Sequence, residues 1–354
     1  MKRIVLTGGG TAGHVTPNIA LLPGLRQSGY EIFYIGSKDG IEKKLIQAQN
    51  IPYYEISSGK LRRYFDLKNF TDPFRVLKGF SEASSLMKKI KPDIVFSKGG
   101  FVSVPVVIAA RRHKIPVICH ESDLTPGLAN KLSMPGATKV CCNFPETVKY
   151  LPEGKAVLTG CPIRKELMEG NRTAALNLTG FLPDKPVLLA MGGSLGAAAV
   201  NQAVRHALPE LLKEYQVVHL CGKGKLDEQL KGTKGYVQYE YIQKELPDLF
   251  ALCDIVISRA GANAICELLA LRKPTLLIPL PAKASRGDQL LNARSFERQG
   301  FSMVLEEENL TEATLLHAVK ELSDHRQDYL DAMNRSPQSD AIRIILDLIG
   351  QTVS

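Results

Sequence analysis

Two apolar runs in this chain end in glycine clusters, and each cluster opens at once into a helix-length segment. Arg3–Thr7 runs into Gly8-Gly9-Gly10-Thr11-Ala12-Gly13, and Val187–Met191 runs into Gly192-Gly193-Ser194-Leu195-Gly196. Strand, tight turn and helix in that order open a βαβ unit. Glycine there lets the main chain approach a ligand closely. The helix that follows presents unpaired N–H groups and the positive end of its dipole, which suits phosphate. Two such openings predict two α/β domains, and 354 residues is the length of two ordinary domains.

The remaining elements extend this reading. Residues 31–35, 93–96, 116–119 and 139–142 read as strands, with helices at 17–28 and 103–112. The strands show little alternation, as expected when both faces of a parallel sheet are covered. Residues 166–185 are polar and carry Gly170, Asn171, Gly180, Pro183 as breakers. The pattern then restarts, with strands at 187–191, 216–221, 254–258 and 274–278 and helices at 197–214, 261–271 and 288–299. A last helix, about 340–350, follows Pro337. The expectation is two Rossmann-like, doubly wound parallel-sheet halves, divided near Arg164 into 1–164 and 165–337.

Charge adds one constraint. Residues 1–165 carry a net +13 and the remainder −4, so an anionic partner, nucleic acid or lipid, is expected at the first half. No helix-turn-helix, zinc-finger spacing or RNP pattern accompanies it, which argues against nucleic acid. No run reaches the eighteen or so apolar residues that span a bilayer. The N-terminal apolar run is too short for a signal peptide, so a cytoplasmic protein is expected. The seven cysteines contain no C-x-x-C pair and read as reduced thiols.

Gly8, Gly10 and Gly13 satisfy G-x-G-x-x-G, but the second strand offers no acidic residue until Asp39, which weakens a nicotinamide site. No P-loop occurs. His14 follows the first loop, where the positive end of a helix favours the neutral imidazole that can accept a proton. In the second half, residues 258–267 form a strand end, a loop and a helix opening that could hold a diphosphate, with Glu267 near the first turns. Residues 286–293 form another polar loop leading into a helix, where open α/β sheets bind ligands.

These segments together resemble the MurG family of peptidoglycan N-acetylglucosaminyltransferases, within glycosyltransferase family 28. The marks are residues 8–14 with Pro17, Gly99-Gly100-Phe101-Val102-Ser103, His120-Glu121-Ser122-Asp123, Gly160-Cys161-Pro162-Ile163-Arg164, residues 192–196, residues 259–267 and residues 288–293. The resemblance covers nearly the whole chain. It implies a GT-B fold, two Rossmann-like domains facing across a cleft, with the C-terminal helix, about 338–354, packed back on the first domain. It implies UDP-N-acetylglucosamine (UDP-GlcNAc) as donor, no tightly bound cofactor and no metal. Donor contacts carried over by motif are Thr11, Ala12, Gly13, Arg164, Ser194, Ile242, Glu267 and Gln289. Acceptor-side candidates are Gly99, Gly100, Ser103 and Asp123. Ala12 and Asp123 depart from the family's usual Gly and from the Asn some members carry.

The implied reaction is an inverting transfer of N-acetylglucosamine to the C4 hydroxyl of undecaprenyl-diphospho-N-acetylmuramyl-pentapeptide (lipid I), giving lipid II. His14 is the implied catalytic residue, as base or hydroxyl orienter. The acceptor is a lipid, so a peripheral position on the cytoplasmic face of the bacterial membrane is expected. Residues 60–91 interleave Lys and Arg with Tyr64, Phe65, Phe70, Phe74 and Phe80, which suits anionic phospholipid. Cell-wall synthesis and division proteins are further expected partners, and nucleic acid is not. The alternative is a glycolipid synthase of the same fold that glycosylates diacylglycerol.

Overall fold

The computed structural model describes residues 1–59, 68–193, 196–283, 287–336 and 340–353, with backbone only for 68–74. The apolar runs become buried strands paired in parallel on both sides. Backbone groups are thereby satisfied within the sheet, and both faces are left to apolar side chains. The first sheet contains β1 (Arg3–Thr7), β2 (Glu31–Ser37), β3 (Tyr53–Ile56), β4 (Ile94–Ser97), β5 (Val117–Glu121), β6 (Lys139–Cys142) and β7 (Ala156–Leu158), in the order β3-β2-β1-β4-β5-β6-β7. The second contains β8 (Val187–Met191), β9 (Gln216–Leu220), β10 (Tyr236–Tyr239), β11 (Ile255–Ser258), β12 (Thr275–Leu277) and β13 (Ser302–Val304), in the order β10-β9-β8-β11-β12-β13. Every strand pairing described is parallel.

The chain divides into two compact units. One holds Met1–Arg164 and the C-terminal helix; the other begins at Lys165. In each, the first three strands step outward one way and the later strands the other. Each unit is therefore doubly wound with its own switch point, between β1 and β4 and between β8 and β11.

Four strands went unread in the sequence: β3, β7, β10 and β13. All are sheet edges. They are three or four residues long and mostly half-buried, so they carry mixed residues rather than apolar runs. The polar stretch 166–185 also holds a helix, Arg172–Thr179. Asn171 caps it by accepting from Ala174 N, and Gly180 ends it in the left-handed conformation. Two residues read as breakers are thus its N-cap and C-cap.

The C-terminal helix Ala341–Val353 belongs to the first unit. Ile345 and Ile349 are fully buried among Leu21, Leu22, Leu25 and Ile46. The helix lies so close to Thr16–Gln27 that a Cβ on Gly24 would sit 2.2 Å from Leu346 Cδ1. Among the described residues no helix is long and apolar enough to cross a membrane. Truncating Ile345 leaves a cavity against a sheet face that cannot collapse. Ile345→Ala should cost about 2–5 kcal/mol of unfolding free energy, read from urea titration of the full chain.

Candidate active site

Open α/β sheets bind ligands at the carboxyl ends of the strands flanking the switch point. In the first unit those ends carry residues 8–10 after β1 and Lys98-Gly99-Gly100 after β4; in the second, Gly192-Gly193 after β8 and Arg259-Ala260-Gly261 after β11. Motifs separated by up to ninety residues in sequence thus become neighbours.

The two glycine turns of the first unit touch main chain to main chain. Gly9 N donates to Gly99 O at 3.3 Å. A Cβ on Gly100 would meet Gly9 O at 2.3 Å, and Gly100 has φ +84°. A third segment joins through Asn130, whose amide lies beside Gly99 and donates to His120 O at 3.3 Å and Glu121 Oε2 at 2.8 Å. Glu121 also accepts from Asp123 N and Gly127 N. Burial first, and then Asp123, push its carboxyl upward.

Beneath the turns lies Lys98, only 1% exposed. Its Nζ contacts His120 Nδ1 at 2.9 Å and Ser122 Oγ. His120 Nε2 faces Gly160 O at 3.0 Å, so Nε2 carries the proton and Nδ1 accepts from lysine. Burial, and then the neighbouring Lys98 charge, hold this imidazole neutral well below its ordinary range.

The first loop differs from the expected phosphate cradle. Glu42, fully buried on helix Ile41–Gln47, accepts from Gly10 N at 3.1 Å and from Ser37 N and Oγ at 3.1 and 2.5 Å. With Gly9 N on Gly99, the Gly9 and Gly10 amides already have protein partners. A phosphate there would also face a buried carboxylate. Tyr34 and Asn18 complete the support: Tyr34 OH donates to Gly8 O at 2.7 Å, and Asn18 Nδ2 to Thr7 O at 3.2 Å. His14 ends a short 3-10 turn, Ala12–His14, that precedes the α-helix, and its Nδ1 lies 3.0 Å from Thr11 Oγ1.

In the second unit the helices that open after β8 and β11 lack side-chain caps. Helix Ala198–Glu214 follows the second glycine loop, and helix Ala262–Ala270 follows β11 with Gly261 as N-cap; neither N-cap makes a side-chain hydrogen bond. The loop is braced from below. Lys225 Nζ donates to Gly196 O at 3.1 Å, and Asn201 Nδ2 to Cys221 O at 2.8 Å, the carbonyl against which Gly196 packs. Asn201 Oδ1 in turn meets His219 Nε2 at 3.1 Å, and burial, followed by Arg205, pushes that imidazole down to about 3. Arg259 ties the loops after β11 and β12 through Ile278 O, Pro279 O and an ion pair with Glu307. Gln289 Oε1 accepts from Leu280 N at 3.1 Å, which fixes the amide and turns its Nε2 into the available donor.

Glycine loops at both switch points, with a histidine on one and uncapped helices on the other, are paired with family matches over both halves. The Glycosyltransferase family 28 N-terminal domain matches residues 4–142 and the Glycosyltransferase family 28 C-terminal domain matches 187–348. The chain belongs to glycosyltransferase family 28. It is 68% identical over 349 residues to the UDP-N-acetylglucosamine--N-acetylmuramyl-(pentapeptide) pyrophosphoryl-undecaprenol N-acetylglucosamine transferase of Lachnospira eligens, covering 99% of each chain. The protein of the same description from Clostridium botulinum strain Langeland is 59% identical with the same coverage. Among solved structures, Acinetobacter baumannii MurG superposes with a TM-score of 0.78 at 27% identity, over 99% of this chain and 100% of that one. The calicheamicin glycosyltransferase CalG4 gives 0.72 at 15% identity, over 100% and 98%, a likeness of fold alone. The fold is GT-B, a family 28 enzyme's pair of doubly wound units.

Within this family 28 chain the sequence-based candidates fall in distinct places. Thr11, Ala12, Gly13 and His14 share the lip of the first loop, the first two exposed and the last two half-buried, and Gly99, Gly100 and Asp123 lie in the interlocked segments beside it. Ser103 is buried and its hydroxyl donates to Gly100 O at 2.7 Å, which braces the turn. Arg164 closes the first unit with its Nε buried and unpartnered among the described residues. Glu267 is half-buried on helix Ala262–Ala270, and Ile242 sits in the turn after the edge strand β10. Ser194 lies outside the described residues. Among those residues no group of three or more His, Cys, Asp or Glu is arranged to hold a metal ion.

Glu42, Lys98, Asn130 and Arg259 were missed as contributors. Glu42 looks like an ordinary acidic residue in a first helical turn, and Lys98 like one basic residue of many; only tertiary contact separates them from their neighbours. Gly100→Ala places a methyl on Gly9 O in a left-handed backbone, so the two turns must part. That variant should lose at least about tenfold in transferase kcat/KM while UDP affinity, read by calorimetry, moves less than twofold.

Proposed function

We infer that this chain transfers N-acetylglucosamine from UDP-GlcNAc to the C4 hydroxyl of lipid I, forming the β-(1→4) linkage of lipid II with inversion. What carries the reading is full-length identity of 59–68% to transferases named for that donor and acceptor. The site chemistry fits it. The second unit is the donor side. Its two uncapped helix openings offer oriented amides to the UDP diphosphate, and the half-buried Arg164 guanidinium supplies positive charge as the leaving group gains charge. Glu267 accepts from ribose hydroxyls, Gln289 Nε2 donates to the transferred sugar, and main chain at Ile242 reads the uracil edge. Ser194, with Thr11, Ala12 and Gly13, completes the donor set. The first unit is the acceptor side, with Gly99, Gly100 and Asp123 around the acceptor.

His14 acts on the attacking hydroxyl. For Nε2 to take a proton, Nδ1 must carry one and donate it to Thr11 Oγ1, which the 3.0 Å contact permits. The histidine then passes to imidazolium as the hydroxyl attacks, and the threonine oxygen holds the ring in place. Incubating the enzyme with labelled UDP-GlcNAc and a short-chain lipid I should yield the β-(1→4) disaccharide lipid, and diacylglycerol in its place should yield none. The reverse result would move the chain to glycolipid synthesis. His14→Ala should lower turnover by about 10²–10⁴-fold with UDP binding nearly intact; a loss below about tenfold would remove it from the proton transfer.

The enzyme works as a peripheral protein at the cytoplasmic face, with cell-wall synthesis and division proteins as partners. Of the lipid-facing stretch 60–91, residues 60–67 lie outside the described residues. In helix Lys68–Ile90, Leu77 is 65% exposed beside exposed Arg75 and Lys78, whereas Phe80 packs against the core with Ala83 and Met87. Phe80 therefore leaves the lipid-contact set. An apolar tip ringed by cations predicts binding to vesicles that contain anionic phospholipid and its loss with rising salt. Equal binding to neutral vesicles in high salt would exclude the electrostatic part.

A further inference from the structure

The first unit carries a second concave site, of about 490 Å³, at the carboxyl ends of β1, β2 and β3. Its lining includes Gly10, Lys38, Asp39, Ile41, Ser58 and Arg75. Nothing in the transfer chemistry above uses it. We propose that this cleft receives the peptide of the acceptor, holding its free carboxylate between Lys38 and Arg75. The proposal rests on the acceptor assigned above and names the part of it that the catalytic loops do not explain.

The walls are rigid and their functional groups are divided. Ser37 is held by Glu42. Ser57 N and Oγ bond Glu82 at 2.5 and 3.2 Å, and Gly79 approaches Ser57 O so closely that a Cβ would sit 2.0 Å from it. Helix Lys68–Ile90 is thereby clamped to the end of β3, which fixes the position of Arg75. Lys38 and Arg75 are exposed and have no ion-pair or hydrogen-bond partner among the described residues. Asp39 is the one carboxylate among the lining residues, so the lining is net cationic. Ile41 is 47% exposed and Ile56 lies behind it.

These features select among anionic ligands. A diphosphate occupies a small part of such a volume and gains nothing from an isoleucine wall, whereas cavities of roughly 300–1,000 Å³ hold drug-sized ligands. A pentapeptide joined through its N-terminus has a free C-terminal carboxylate and apolar side chains, and in extended form it reaches about 17 Å. The location agrees. The peptide hangs from the lactyl group on C3 of the muramyl sugar, one carbon from the attacking C4 hydroxyl. Gly10 lines the cleft, and His14 stands four residues further along the same loop.

The test uses the full chain, UDP-GlcNAc and three short-chain acceptors that share the diphosphate and muramyl sugar. One carries the pentapeptide as free acid, one carries it as C-terminal amide, and one has a methylamide in place of the peptide. Wild type should use the free acid with the highest kcat/KM. Lys38→Glu and Arg75→Glu should each cut the preference for free acid over amide by about fivefold, through KM. Melting temperature reports folding, and both side chains are exposed. Equal losses on all three acceptors would place the shared diphosphate in the cleft and overturn the proposal, as would variants with the wild-type preference. Absence of transfer by wild type to any of the three would instead overturn the assigned acceptor.

Discussion

The contact between the main chains of Gly9 and Gly100 sets the geometry of the first unit's loops. Two turns from different βαβ segments meet with no side chain between them, across the point where the sheet reverses its winding. Any Cβ at Gly100 would force them apart, and everything attached to them would move: the His14 lip on one side and the segment 120–123 on the other. The buried groups around the contact serve it. Glu42 holds the first turn from one side, and Asn130 holds the second against Glu121 from the other. Lys98 bridges the third segment from below. Its ammonium is solvated by a neutral imidazole and a hydroxyl, with no carboxylate among the described residues hydrogen-bonded to it.

The two glycine loops read alike in sequence and differ in physics. In the first, the Gly9 and Gly10 amides are satisfied by a carbonyl and by a buried carboxylate. In the second unit the helices after β8 and β11 begin without side-chain caps, so their first-turn amides keep the directionality that binds phosphate oxygens. The same motif thus has two uses. In the first unit glycine permits close packing of one turn on another; in the second, Gly192 and Gly196 pack against Ala197 and Cys221 and Gly193 faces open space. The sequence pattern records only that side chains are excluded, which both uses require.

What could be read without coordinates follows from the same distinction. The central strands were legible because burial on both faces demands unbroken apolar runs. The edge strands β3, β7, β10 and β13 were not, because a strand paired on one side and half-exposed tolerates Glu55 or Gln238. The helix Arg172–Thr179 was hidden because its caps, Asn171 and Gly180, are the same residues that mark loops. The glycine loops were legible as motifs, with His14 beside the first. Their supports were not: Glu42 and Lys98 acquire meaning from partners such as Gly10 and His120, which lie more than twenty residues away. Ser103 was legible as part of a motif, but its hydrogen bond to Gly100 O was not.

Charge follows a similar division of labour. The basic first half places Lys38 and Arg75 in the cleft beside the first glycine loop, and Lys78, Lys88 and Lys89 on the exposed face of helix Lys68–Ile90. Residues 166–354 are net acidic, yet they include the helix openings suited to a nucleoside diphosphate. Net charge therefore does not decide which unit takes the donor. A diphosphate can be held by amides aimed at its oxygens, whose strength depends on orientation and falls off within a turn of the helix end. Mobile lysines act at longer range and suit a lipid surface or a flexible peptide, whose charges arrive in no fixed geometry. On this reasoning mobile cations gather and oriented amides align, and the first unit is rich in the former while the second keeps the latter at its helix openings.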